Sequence, residues 1–270
     1  MSAQRIRSLA ISIGILALAV LAAIAAPWLA PKDPTQSDIV HRLEPPSASH
    51  LLGTDSLGRD ELSRLLYGTR YTLVALALVA AIMVPLGLLV GMTAGLAGGW
   101  AERSLAALTN LVLALPTLLL ALALVGSLGP GLLNVALALA LTGWPVYARL
   151  ALSETRLLRR SDYLAAARMQ GIGGWRLLWG HVLPACLPST RTRLAFDLGA
   201  GILSIAALGF LGLGVRPPTP EWGMLVADGA HAGFEHWWLA LFPGVAIFAV
   251  SLAFNRMADV LRDRADPRFA

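Results

Sequence analysis

The chain has 270 residues, of which 57% are apolar and only 14% charged. A soluble domain usually carries about 25% charged residues, so this composition excludes an ordinary water-soluble protein. The net charge is +5, and Lys32 is the only lysine among 21 basic residues. The arginines sit between apolar runs, a pattern of membrane topology rather than of nucleic-acid binding. Cys186 is the only cysteine, which excludes an intrachain disulfide and a cysteine-based metal site.

A membrane helix needs about 20 apolar residues. Six segments meet that length approximately: 8–30, 71–97, 104–126, 131–152, 194–214 and 238–258. Helix is the form expected for them, because lipid offers backbone groups no hydrogen-bond partners. The first run follows Arg5 and Arg7 and is longer than the apolar core of a signal peptide. It is therefore expected to stay as a membrane span, although Ala22, Ala23, Ala25 and Ala26 resemble a cleavage region.

Segment 31–70 opens with Pro31-Lys32-Asp33-Pro34 and contains Pro45-Pro46, which forbid a continuous helix. Leu57, Leu62, Leu65 and Leu66 predict a short amphipathic helix at the membrane surface between Ser56 and Tyr67. Arg59 and Asp60 are expected to pair locally or to hold this segment to a partner. In the second apolar run, Gly87, Gly91, Gly95 and Gly98 recur every three or four residues. That stripe would let a neighbouring helix approach closely.

Orientation follows from the basic residues. With the N-terminus in the cytoplasm and six alternating spans, the outer side receives Lys32, Arg42, Arg59, Arg64, Arg70 and Arg216. The other fifteen fall on the cytoplasmic side, as the positive-inside rule requires. Both termini are then cytoplasmic.

Between the fourth and fifth spans lies a polar stretch, 153–193. Ser161-Asp162 is a helix cap, Ala165-Ala166-Ala167 is a run of good helix formers, and Gly171 is a stop. A second short helix is expected from Trp175 to Val182, leading into Leu183-Pro184. The hairpin is either a membrane-surface element or a docking surface for a partner.

Near the end of the fifth run, Gly209-Phe210-Leu211-Gly212-Leu213-Gly214 would make a poor helix interior, at about 1 kcal/mol per glycine. Pro217-Pro218 then ends any helix. Segment 209–223, including Trp222, is therefore expected at a translocation path or a partner interface. Asp197 is the one carboxylate inside an apolar run and a candidate for the same path, with a local ion pair near Arg191 and Arg193 as the alternative. His231, His236, Asp228 and Glu235 lack metal-ligand spacing and are read as surface polarity. There is no phosphate-binding Gly-Lys-Ser/Thr loop. No catalytic residue, metal site or cofactor is expected.

Several of these motifs resemble a known family. Ala166-Ala167, Gly171 and Val182-Leu183-Pro184 look like the signature loop of binding-protein-dependent ABC importer permeases, although Ala165 stands where that family often has glutamate. His50 to Asp60, Gly209 to Gly223 and the tail, with Ala253-Phe254-Asn255 and Asp266-Pro267-Arg268, resemble the second permease of peptide and nickel importers. The resemblance implies an all-α, MetI-like type I importer fold. It divides the chain into a first helix with its outer segment (1–70), a permease core (71–264) and a tail (265–270).

The family also implies a bacterial inner-membrane location. The expected partners are a second homologous permease, two cytoplasmic ABC ATPase subunits, an extracytoplasmic binding protein and membrane lipid. In the family, Asp162, Ala165, Ala166, Ala167, Gly171, Leu183 and Pro184 would belong to the loop that couples to the ATPase. Peptide is the expected substrate, with nickel or a metal chelate as the alternative. An ATP-independent secondary transporter is the remote rival, but it would normally need ion-coupling charges near mid-membrane.

Overall fold

The computed structural model describes residues 3–265, with side chains from 7 to 263. The expected tail beyond 265, with Asp266-Pro267-Arg268, lies outside the described residues, as do the side chains of Arg5 and Arg264.

Every regular element among the described residues is helical: α1 (Ala3–Leu29), α2 (Glu61–Ala97), α3 (Gly99–Leu113), α4 (Thr117–Leu128), α5 (Leu132–Arg159), α6 (Asp162–Met169), α7 (Gly174–Leu177), α8 (Leu183–Phe210), α9 (Trp222–Ala232) and α10 (Trp238–Ala265), with short 3₁₀ and π turns between some of them. Five helical stretches are long and apolar enough to cross a membrane, or six if the bent pair α3–α4 is one span. The predicted all-α, multi-span architecture is what the chain adopts.

Three expected boundaries move. The short surface helix predicted within 56–67 is instead the opening of α2, which runs unbroken for 37 residues. Nothing between Glu61 and the first apolar turn breaks a helix, and Asp60 accepts from Ser63 N at 2.9 Å at its start. The third apolar run is bent by 85° between α3 and α4. Pro116 immediately precedes α4; it lacks an N–H and disfavours helical geometry at Leu115. The expected second arm of the cytoplasmic hairpin is continuous with the fifth span, from Gly174 to Phe210. A π turn at Leu178–Val182 precedes Pro184, and such a bulge lets a helix continue past a residue that cannot donate.

Two compact units divide the chain. One gathers residues 3–78, 124–136 and 195–260. It includes the irregular segment 30–60, which carries one 3₁₀ turn at Ile39–His41 and an antiparallel bridge between Thr54 and Asp60.

The other unit gathers 79–123, 137–194 and 261–265. Here the glycine stripe of α2 packs on α5. A Cβ on Gly87 would collide with the Trp144 carbonyl, and one on Gly91 with the Ala148 carbonyl. A Cβ on Gly95 would fall 2.7 Å from that of Thr155. The predicted close approach is therefore made within this chain. At the end of α5, Arg156 and Arg159 both pair with Glu102 of α3, and Arg159 Nη1 donates to the Gly95 carbonyl at 3.0 Å.

Candidate functional sites: a helical hairpin and a buried polar cluster

The hairpin begins where Ser161 caps α6, its Oγ accepting from Leu164 N at 3.4 Å. The helix stops two turns later. Gly171 N donates to the Arg168 carbonyl at 2.9 Å and Ile172 N to the Ala167 carbonyl at 3.1 Å. These paired bonds form a Schellman stop, and Gly171 takes the left-handed conformation it requires, φ +78°.

Leu164 and Ala167 are buried against Leu88, Met92, Ala151, Leu177, Val182 and Cys186. The opposite face is bare: Asp162, Ala165, Ala166 and Met169 are all exposed. Beyond the stop, Trp175 and Trp179 are exposed and stacked at 6.3 Å, and the Tyr163 hydroxyl lies 2.7 Å from His181 Nδ1. Leu183 is half-buried and Pro184 exposed at the start of α8. Asp162, Ala165, Ala166, Ala167 and Gly171 thus lie on α6 and its stop, with Ala167 facing inward, while Leu183 and Pro184 open α8.

The second constellation belongs to the other unit. Asp55, 1% exposed, accepts from Leu57 N and Arg59 N at 2.9 Å each and from Arg59 Nε at 2.7 Å. Arg64, fully buried, places Nε 3.3 Å from Asp55 Oδ2 and Nη2 3.1 Å from Asp228 Oδ2. Arg59 and Asp60, expected to pair locally or to hold this segment to a partner, pair within the segment, though not with each other. Arg59 takes Asp55, and Asp60 takes His50 at 3.0 Å. Asp228, read from sequence as surface polarity, anchors α9 to this cluster. Burial raises its carboxyl above the ordinary range, a shift that Arg64 and Arg59 only partly offset.

Glu221 caps α9. Its carboxylate accepts from Gly223 N at 2.9 Å, Met224 N at 3.3 Å and the Thr72 hydroxyl at 3.3 Å. It is 1% exposed, and burial pushes its pKa up to about 7 against the pull of those bonds.

The predicted residues Gly209, Gly214 and Trp222 meet around it. A Cβ on Gly209 would collide with Glu221 Oε2, and one on Gly214 would lie 3.4 Å from that oxygen. Trp222 is buried, and its indole donates to the Leu65 carbonyl at 3.2 Å. As predicted, α8 ends in this run, at Phe210, and Gly212 has φ +76°. Phe210 is 45% exposed at that end. Asp197 lies on α8, half-buried, more than two turns before this group.

Sequence reasoning missed Glu221, Thr72 and the pairing of Arg64 with Asp228. The available signal was a carboxylate immediately before the Trp222-Gly223 helix start, an N-cap position.

A multi-span helical chain with a capped hairpin between two spans has the build of a membrane permease component. Residues 66–269 match the family described as binding-protein-dependent transport system inner membrane component, and 7–46 match the N-terminal membrane domain of oligopeptide transport permease C. The chain belongs to that transport family and is a multi-pass inner-membrane protein.

It is similar to the di/tripeptide transport system permease protein DppC of Pseudomonas aeruginosa, at 43% identity over 93% of this chain and 85% of the relative. The probable D,D-dipeptide transport system permease protein DdpC of Escherichia coli is 40% identical over 94% of this chain and 85% of its own length. The nickel transport system permease protein NikC of Escherichia coli is 38% identical over 96% of this chain and 94% of its own length.

Proposed function

We propose that the chain forms half of the translocation pathway of an ABC importer for di- and oligopeptides. It works with a second homologous permease, two cytoplasmic ATPase subunits and an extracytoplasmic binding protein, and both its termini are cytoplasmic. The hairpin carries this reading. Helix α6 is fixed from below by Leu164 and Ala167 and presents small residues, Ala165 and Ala166, on its free face. A rigid helix with a flat face fits into a partner's groove and transmits a push, which a loose loop does not. Asp162, Gly171, Leu183 and Pro184 set the ends of that element. Segment 209–223 is assigned to the translocation path or to the contact with the second permease.

Peptide is taken over nickel because the relatives at 43% and 40% identity are dipeptide-related, although further peptide permeases stand level with the nickel permease at 38%. A nickel or metal-chelate importer would use the same architecture. The deciding experiment is calorimetric titration of the cognate binding protein with dialanine and with Ni²⁺, followed by uptake into proteoliposomes holding the assembled importer. Binding and uptake of dialanine are expected. Uptake of Ni²⁺ alone would overturn the substrate while leaving the permease role in place.

A further inference from the structure

A polar pocket of about 510 Å³ opens where α1 ends and α2 begins, lined by Pro27, Lys32, Asp33, Tyr67, Tyr71 and Thr219, among others. Its cation is held in place from both ends. Lys32 N donates to Ser63 Oγ at 3.1 Å, and Lys32 Nζ lies 3.0 Å from His50 Nε2. An ammonium has no acceptor, so Nε2 accepts and Nδ1 carries the ring proton. That proton is donated to Asp60 Oδ1 at 3.0 Å, while Ser63 Oγ donates to Asp60 Oδ2 at 2.8 Å. The result is a closed ring of bonds whose inner members, His50, Asp60 and Ser63, are buried. Two N–H groups of the ammonium remain for a ligand.

Beside it, Asp33 uses Oδ1 for both bonds from Thr35, at 2.7 and 2.6 Å. The Gln36 backbone N–H acts on the same carboxylate, whose side chain is exposed at the pocket. Those Thr35 bonds also hold the Asp33 carboxyl below its ordinary pKa. Tyr67 and Tyr71, one turn apart on α2, add hydroxyls and ring faces that attract cations.

The surroundings are those of a membrane surface. On α1, Leu21 is 61% exposed, Ile24 62% and Trp28 79%. Trp and Tyr at a span end mark the headgroup level. Deeper along the same two helices, a hollow of about 420 Å³ is lined by Val20, Ala23, Ile24, Leu73, Val74 and Ala77, with Arg70.

We propose that this pocket binds the phosphoethanolamine headgroup of a membrane phospholipid, with the phosphate on Lys32 and the ammonium on the exposed Asp33 carboxylate and the tyrosines. A free zwitterionic dipeptide offers the same pair of charges. The apolar hollow on the same helices and the bare face of α1 favour the lipid, since they provide for acyl chains that a dipeptide lacks. A choline headgroup has no N–H for Asp33, and a glycerol headgroup has no cation.

The test uses the assembled importer, washed in detergent and then titrated with phosphatidylethanolamine or phosphatidylglycerol in nanodiscs, with retained lipid counted by native mass spectrometry. The wild type is expected to keep one phosphatidylethanolamine per copy of this chain and to prefer it over phosphatidylglycerol. Lys32→Gln should weaken retention by about tenfold or more, the effect of losing a charged hydrogen bond. Asp33→Asn, which leaves the Lys32 ring intact, should abolish the preference between the two lipids without changing the melting temperature. Retention unaffected by both variants would overturn the proposal. So would displacement of the lipid by millimolar dialanine, which marks a peptide subsite, or by inorganic phosphate alone, which marks a plain anion site.

Discussion

Arg64 and Asp228 stand 164 residues apart in the chain, yet Arg64 Nη2 lies 3.1 Å from Asp228 Oδ2. This bond fastens α9 to the opening of α2, and Asp55 closes the network from the other side of the guanidinium. The two acids are not equivalent. Asp55 is buried and takes two backbone bonds as well as both arginines, whereas the Asp228 side chain is 36% exposed. Asp55→Asn should therefore cost about 3–5 kcal/mol, the range for breaking a buried pair. Asp228→Asn should change stability by about 1 kcal/mol or less, because the burial that raises its carboxyl offsets the attraction of the arginines. Thermal denaturation of the purified importer measures both, and equal losses would contradict this ranking.

Glu221 predicts a pH dependence. Its pKa is pushed up to about 7 in the fold, against 4.5 when free. The folded chain thus holds the proton more tightly than the unfolded chain. Its contribution is fully present below 4.5, declines as pH rises toward 7, and is gone above that. Glu221→Gln cannot ionise and keeps an acceptor for Gly223 N. It should flatten the decline between pH 5 and 7 and exceed the wild type by about 2 kcal/mol at pH 8. Melting curves across that range provide the check; parallel curves would mean that Glu221 is ionised throughout.

The α2–α5 contact predicts a sharp difference between two glycines. Gly91→Val would drive its side chain into the Ala148 carbonyl and the Ala151 methyl, so little folded protein should be recovered. Gly126→Ala adds a Cβ with nothing within 4 Å, and helix propensity improves by up to about 1 kcal/mol. Recovery by size-exclusion chromatography should fall only for the first.

Gly171 tests the hairpin's role. Its surroundings are open, but its φ of +78° is one that most side chains rarely adopt. Gly171→Val should cost about 1–2 kcal/mol locally and misdirect the exit of α6, while Gly171→Asn, which tolerates this conformation, should be mild. Membrane insertion should survive in both. Substrate-stimulated ATP hydrolysis by the assembled importer should drop in the valine variant only. Unchanged hydrolysis there would make the hairpin a passive surface element.

Orientation can be read by labelling. Ser47→Cys should react with a membrane-impermeant maleimide in intact spheroplasts, and Ser161→Cys only after the membrane is opened. Both residues reacting from the same side would refute the alternating arrangement.

The spans were legible because a long apolar run has few other forms in lipid, and α6 was legible because its cap and its stop are both local chemistry. The polar cluster was not. Asp228 gives no local hint that it will meet Arg64, since the pairing depends on how α9 folds back. The bend at Pro116 was hidden because the apolar run continues across it, and hydrophobicity carries no information about direction. The true start of α2 was obscured for the opposite reason: an amphipathic turn and an apolar span look different in composition but share one uninterrupted backbone.

Cys186 is fully buried among Leu178, Val182 and the residues under α6. As the only thiol in the chain, it makes the natural protein silent to water-borne sulfhydryl reagents while folded. Single-cysteine spectroscopy can therefore start from the native sequence. Any signal from an unmodified sample would itself report that the hairpin has come off its helices.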